Sequence, residues 1–372
     1  MLKIQEFIRE HEDWQELLSN APYNLKITED ENFVMFKYNQ ISSDFNEKIC
    51  REARGIILEK GTWRVVRMAF EKFFNIDEPF ADKIDWSTAV ATEKIDGSIM
   101  SLWNDGEKWR LSTNGTLNAE NAEPADNIIY KNFAQLFDSV AHWKINYKNL
   151  NPNYCYTFEL VSPYNKVVIS YPEPELYLLS VRDMTTLEEK IGYCGEIPES
   201  IKRPQRYDLN SEKEFRQLVA DMPEGHEGIV VRDAAGHRVK IKTLLYFQLH
   251  RTANNGKMTL ERIIDLINAN DTDEFLAYFP EMEDKFENVR QRIAECWKTV
   301  EVIQELAPAW REMFEKNFSQ KVARKQFAQS VQDKPAKALW FIAYDGDLEA
   351  RVKSYTTPQF IRAFSFIFKD LM

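Results

Sequence analysis

The stretch Glu93-Lys94-Ile95-Asp96-Gly97-Ser98 decides the fold. One strand-like run, Ala89 to Glu93, leads into it, and another, Ser98–Trp103, leaves it. The residues between predict a tight turn, with Gly97 free to take the left-handed conformation. Such a turn fixes the Lys94 amine on the rim of a sheet. Just downstream, Asn104-Asp105-Gly106 separates Ser98–Trp103 from Trp109–Ser112, a strong hairpin signal.

Working outward, Asn32–Tyr38, Gly55–Leu58 and Trp63–Phe70 read as strands before this stretch. Tyr154–Val161, Lys166–Ser170, Glu175–Arg182, Gly228–Arg232 and His237–Lys242 read as strands after it. An amphipathic helix is predicted over 2–18, and another after Pro124 carrying Ile128, Ile129, Phe133, Leu136, Phe137 and Val140. Clustered strands with a few helices predict an α+β domain of antiparallel sheets with flanking helices. The character changes after about Leu249. From Gly256 to Met372 the only further glycine is Gly346, and apolar residues recur at helical spacing: Leu260, Ile263, Ile264, Ile267, then Phe286, Val289, Ile293, Trp297, Val300. The expected division is an α+β domain over 1–250 and an all-α domain over 251–372.

Of 372 residues, 48 are Lys or Arg and 59 Asp or Glu, a net charge of −11. With 44% hydrophobic residues, disorder as the main state is excluded. The acidic balance argues against non-specific coating of duplex DNA, although a local basic site can still hold phosphate. Apolar stretches such as Leu176–Val181 fall far short of the roughly 20 residues a bilayer requires. Glu6, Glu10, Glu12 and Asp13 argue against a secretory signal. Cys50, Cys155, Cys194 and Cys296 lie far apart and form no zinc pattern; reduced thiols in a cytosolic protein are expected.

A lysine is nucleophilic only when neutral, so Lys94 needs burial or nearby cations. His237-Arg238-Val239-Lys240-Ile241-Lys242 alternates strictly, so Arg238, Lys240 and Lys242 share one strand face. Like charges in that row call for an anion such as a triphosphate; the plain alternative is an edge strand guarded by lysines. Glu159 and Glu227 lie in apolar runs, where a charge must be paired or metal-bound. They suit contacts to metal, lysine or ribose, and equally a salt bridge at a strand end.

One ordered set runs from about Tyr38 to Lys242: Arg54-Gly55, Glu71-Lys72-Phe73-Phe74-Asn75, Lys94-Ile95-Asp96-Gly97-Ser98, Phe158-Glu159-Leu160-Val161, Glu227-Gly228-Ile229-Val230-Val231 and Lys240-Ile241-Lys242. It resembles the covalent nucleotidyltransferase superfamily of ATP-dependent ligases and mRNA capping enzymes, and more closely the phage RNA ligase 1 family, which repairs cleaved tRNA. The resemblance implies an N-terminal nucleotidyltransferase (ATP-grasp-like ligase) domain followed by a helical domain for RNA or tRNA specificity. It implies an ATP-dependent RNA ligase that joins 5′-phosphate and 3′-hydroxyl ends through lysyl-AMP and RNA-adenylate intermediates.

On that resemblance Lys94 carries the AMP. Lys240 and Lys242 hold the α-phosphate and keep Lys94 neutral. Arg54 lies near the adenylate, Glu159 on the ribose, and Glu227 near the metal or the Lys94 amine. Tyr38, Lys72, Phe74 and Glu93 belong to the ATP site, and Gly97 and Gly228 stand where backbone approaches nucleotide. Magnesium is implied by the phosphoryl chemistry, with Asp271 and Asp273 as candidate ligands; a solvated capping loop is the alternative there. The family has a lysine where this chain has Asn114, so a positive charge is missing at that point. The helical tail argues against DNA ligases and capping enzymes, which place a β-barrel module after the last lysine motif. Those relatives, and an inactive RNA-binding relative, remain the competing readings. In the tail, Lys316, Lys321, Arg324 and Lys325 with Phe314, Phe318 and Phe327 form either an RNA-contacting face or a solvated helix. RNA, with tRNA as the specific candidate, is the implied partner, with functional coupling to a polynucleotide kinase–phosphatase, no membrane, and a location in the cytoplasm, or host cytoplasm if phage-encoded.

Overall fold

The computed structural model describes every residue except 41, 125, 127, 191–194, 247–257, 270–271, 273–274, 277–278 and 372, and the side chain of 269. The chain divides into two compact units, Met1–His250 and Arg251–Met372.

Three sheets build the first unit. The first runs in order β1 (Lys26–Glu29), β2 (Phe33–Lys37), β3 (Arg54–Glu59), β4 (Val65–Arg67), all antiparallel. Helices α1 (Lys3–Glu10), α2 (Trp14–Ser19) and α3 (Lys48–Glu52) accompany it; Ile4, Ile8, Leu18, Ile49 and Cys50 share its buried core with Val34, Phe36 and Ile57. The single helix predicted over 2–18 is therefore two. The second sheet contains β7 (Ser98–Asn104), β8 (Trp109–Thr113), β9 (Tyr154–Val161) and β10 (Glu175–Asp183), in order β10-β9-β7-β8. Its core includes Leu136, Phe137, Val140 and Ala141 of α4 (Phe133–Lys144). The third sheet contains β5 (Phe74–Asn75), β6 (Val90–Glu93), β11 (Arg206–Tyr207), β12 (Gly228–Arg232) and β13 (Arg238–Lys242), in order β11-β6-β12-β13-β5. Phe215 and Val219 of α5 (Glu212–Ala220) join its core. Only β5 and β13 run parallel in this sheet.

The predicted hairpin forms: β7 and β8 pair from Met100–Thr113 to Asn104–Trp109, and Gly106 takes φ +103° at the turn. Lys166–Ser170 is not a strand. The Val168 and Ile169 N–H groups instead donate to the Asp96 carboxylate at 2.8 and 2.7 Å. Trp63–Phe70 shortens to Val65–Arg67, and the helix after Pro124 starts only at Phe133.

The second unit is helical wherever it is regular: α6 (Leu260–Ala269), α7 (Glu283–Asn317), α8 (Gln320–Ser330), α9 (Lys337–Asp345), α10 (Leu348–Lys353) and α11 (Thr357–Ala363). Helix α7 is its spine. Phe286, Val289, Ile293, Cys296, Val300, Ile303 and Ala307 form a buried seam at alternating three- and four-residue steps. Cys296 takes the place in the seam predicted for Trp297, which packs on Phe360 instead. Among the described residues no helix is long and apolar enough to cross a membrane.

Candidate active site

Strands β6 and β7 do not pair with each other; the first belongs to the third sheet and the second to the second. Residues 94–97 therefore carry the chain across the gap between two sheets. The Lys94 N–H donates to the Gly228 carbonyl at 2.8 Å, which ties the crossing to the start of β12. Between the sheets lies a cleft of about 530 Å³ lined by Lys94, Glu93, Arg54, Glu159, Leu178 and Val230, among others. This size suits a small organic ligand.

The crossing needs Gly97 for a reason other than the predicted one. Gly97 is not in the left-handed region. A Cβ there would lie 2.5 Å from the Leu160 carbonyl oxygen and 3.1 Å from Glu159 Cγ. Gly228 takes φ +145°, and a Cβ on it would lie 2.0 Å from the Ile241 carbonyl oxygen. Both glycines let the protein's own strands close on one another; the close approach that binds them is protein to protein.

Beside Lys94 of the cleft lining, one carboxylate serves two amines, although neither Glu227 nor Lys242 itself lines the cleft. The Lys94 Nζ donates to Glu227 Oε2 at 2.6 Å, and the Lys242 Nζ lies 3.3 Å from Glu227 Oε1. Glu227 is 2% exposed. The register explains the meeting, because Gly228 faces Lys242 across β12 and β13, so Glu227 ends beside the last lysine of β13. Lys240, two residues back, is buried as well.

Glu159, on β9 and also lining the cleft, is pushed up to about 8. Burial is the largest cause; Lys94 pulls it down, Glu227 and Asp96 push it up, and Arg54 pulls it down. Asp96, likewise raised by burial, is held by the Val168 and Ile169 N–H groups and by the Tyr246 hydroxyl at 3.2 Å. That clamp fixes the Lys94 segment from the side opposite β12. Arg54 stacks on Phe73 with its guanidinium 4.8 Å from the ring centroid and donates to the Glu71 carbonyl at 3.3 Å.

The structure thus places Lys94, Glu93, Glu159 and Arg54 along the cleft and joins Glu227 and Lys242 to them through Lys94, with Gly97 and Gly228 at close approaches of the protein's own strands. Lys72 and Phe74 do not line the cleft. The Lys72 amine sits 5.4, 5.5 and 5.3 Å from the rings of Tyr38, Phe45 and Phe74, a cation enclosed by aromatic faces. This box lies next to β13, because Phe74 and Asn75 pair with Val239 and Lys240. Arg238 departs from the shared anion-binding face: it takes the Glu189 carboxylate, at 2.6 Å to Oε2, and stacks on Phe70. Asp271 and Asp273 lie outside the described residues.

Sequence reasoning missed Arg67. It is wholly buried, and its Nη2 donates to Ser101 Oγ and Asn114 Oδ1, each at 2.8 Å, while Nη1 donates to the Arg54 and Gly55 carbonyls. Burial lowers its pKa to about 10. A lone arginine in Val65-Val66-Arg67-Met68-Ala69 was the available signal. Asn114, singled out for its missing charge, has its side chain committed to this arginine.

Residues 52–253 match the family model described as RNA ligase. The chain belongs to the RNA ligase family. It is by class an ATP-dependent RNA ligase, and the resemblance to the phage RNA ligase 1 family stands. An RNA ligase of Rhodothermus phage RM378 is 25% identical over 87% of this chain and 87% of its own length. RNA ligase 1 of bacteriophage TS2126 is 28% identical over 54% of this chain and 52% of its own. A putative bifunctional polynucleotide kinase/RNA ligase of Autographa californica nuclear polyhedrosis virus is 27% identical over 68% of this chain and 38% of its own.

Proposed function

We propose that this RNA ligase joins 5′-phosphate and 3′-hydroxyl RNA ends through an AMP covalently attached to Lys94, in the repair of cleaved tRNA. The observation that carries the reading is the pair of amines on one buried carboxylate, Lys94 and Lys242 on Glu227, with Lys94 lining a cleft of nucleotide size.

In the first step the neutral Lys94 amine, its ammonium proton already given up to solvent, attacks the α-phosphorus of ATP, the bond to pyrophosphate breaks with its electron pair leaving on pyrophosphate, and the proton shed as the P–N bond forms passes to Glu227, 2.6 Å away. Lys242 and Lys240 place positive charge where the α-phosphate oxygens gain negative charge. In the second step an oxygen of the RNA 5′-phosphate attacks the AMP phosphorus, and Lys94 leaves and regains a proton. In the third the 3′-hydroxyl attacks the activated 5′-phosphate and expels AMP. Glu159, its pKa raised by burial, suits a hydrogen bond to a ribose hydroxyl. Arg54 suits the incoming 5′-phosphate, and Tyr38, Lys72 and Phe74 support the strand that carries the late lysines. Magnesium fits as an ion carried on the triphosphate, neutralising its charge, since this metal needs few protein ligands. The relative named as a bifunctional polynucleotide kinase/RNA ligase supports a functional coupling of this ligase to a polynucleotide kinase.

The test is label transfer from α-labelled ATP, with magnesium, to the protein. An acid-labile adduct is expected with ATP and not GTP, absent in Lys94→Ala, and discharged by 5′-phosphorylated single-stranded RNA rather than nicked DNA. An adduct retained in Lys94→Ala would overturn the reading.

A further inference from the structure

Lys37, the last residue of β2, stands in cross-strand register with two other cations. On one side it faces Lys26 of β1; on the other it faces Arg54 of β3. Directly opposed like charges destabilise a sheet, yet this row continues across three strands. Arg54 joins it only because the register shifts between Phe36 and Lys37: Phe36 pairs with Ile56, Lys37 with Arg54, and Gly55 bulges out at φ +76°. Bulges of this kind re-aim a side chain beside active sites.

No carboxylate pairs with Lys26 or Lys37 among the described residues. Lys37 is half-buried, and its pKa is lowered, first by burial and then by Lys26. Its amine reaches the loop after β8: a Cβ built on Gly115 would lie 3.2 Å from Lys37 Nζ. A lysine guarding a sheet edge would be exposed on an edge strand; β2 is interior, paired with both β1 and β3.

We propose that Lys37, with Arg54 and Lys26, forms a phosphate track for an RNA strand. Resting on the reading that the cleft joins RNA ends, the track runs from Arg54 at the cleft outward to exposed Lys26, on backbones roughly 5 Å apart at strand spacing. A line of cations leading to the surface matches the backbone of a polyanion; a triphosphate would call for a compact cluster. The desolvation cost of Lys37 and the repulsion in the row are relieved when phosphates arrive.

The experiment measures binding of a 5′-phosphorylated single-stranded RNA without ATP, by fluorescence anisotropy across a salt series, for wild type, Lys37→Met and Lys37→Arg. Lys37→Met is expected to weaken RNA binding about tenfold and to lower the salt slope by about 0.7, one phosphate contact on a single strand. Lys37→Arg is expected to restore most of both. Lys37→Met is also expected to raise the Tm, because an apolar chain replaces a desolvated ammonium; a lysine with a merely structural role would lower it. Unchanged RNA affinity and slope in Lys37→Met would overturn the proposal. So would a loss confined to the ATP concentration needed for adduct formation, which would assign the row to the triphosphate. Failure of wild type to form any adduct while the Lys37→Met loss persists would overturn the covalent reading and leave the track standing.

Discussion

Two lysines of the first unit are treated in opposite ways. Lys94 meets a buried carboxylate at 2.6 Å, and Lys242 approaches that carboxylate's other oxygen at 3.3 Å. Lys37 faces Lys26 and Arg54 and has no carboxylate partner among the described residues. A lysine hydrogen-bonded to a carboxylate has an acceptor at hand for the proton its nitrogen sheds on attack. A lysine set among cations is equipped to receive an anion from outside. The same side chain serves chemistry in one place and recognition in the other, and the difference lies in what stands opposite it across the sheet.

The comparison breaks most visibly at Glu227. Glu227→Gln keeps the shape and removes the proton acceptor, so the rate of adduct formation is expected to fall about 10²- to 10³-fold. A near-wild-type rate of label transfer from ATP would remove Glu227 from the proton path. The loss of RNA affinity in Lys37→Met, about tenfold, comes next.

Glu159 sharpens the contrast through pH. Its ordinary value of 4.5 rises to about 8 in the fold. Between those values the folded state holds a proton that the unfolded chain has released, so stability falls as pH rises through that window. Glu159→Gln removes this dependence. The wild-type Tm is expected to drop more steeply than that of the variant between about pH 5 and pH 8; parallel profiles would contradict the burial argument.

The smallest effect belongs to the helical unit. Arg324 is already paired with Asp345, at 2.8 Å to Oδ2, while Phe327 is buried and Phe318 is 46% exposed. The double substitution Lys321→Ala with Lys325→Ala is expected to weaken RNA binding only about twofold to threefold, as rim charges do. A tenfold loss would move the main RNA contact to this unit.

Much of this was legible in the sequence because strand alternation and motif order constrain each other. The placement of Val239 and Ile241 in the core sends Lys242 to the opposite face, and antiparallel pairing with β12 then brings it to Glu227. The Asn104-Asp105-Gly106 signal depends on local turn chemistry and so gave the β7–β8 hairpin. What was not legible depends on events between sheets. The Lys94 segment reads as a turn within one sheet but crosses between two, because no local pattern reports which sheet the next strand joins. Lys166–Ser170 has strand-like residues, yet its N–H groups go to Asp96, a carboxylate distant in sequence. Arg238 follows the alternation and is then taken by Glu189 of another hairpin. Lys37 gave no signal of its own, since its meaning comes from a bulge at Gly55 on the neighbouring strand.

The most direct measurement is the mass of the proteolytic peptides after incubation with ATP and magnesium. The account requires one AMP on the peptide that contains Lys94, and none on the peptides that contain Lys240 or Lys242. AMP on either late lysine, or no modified peptide at all, would contradict it.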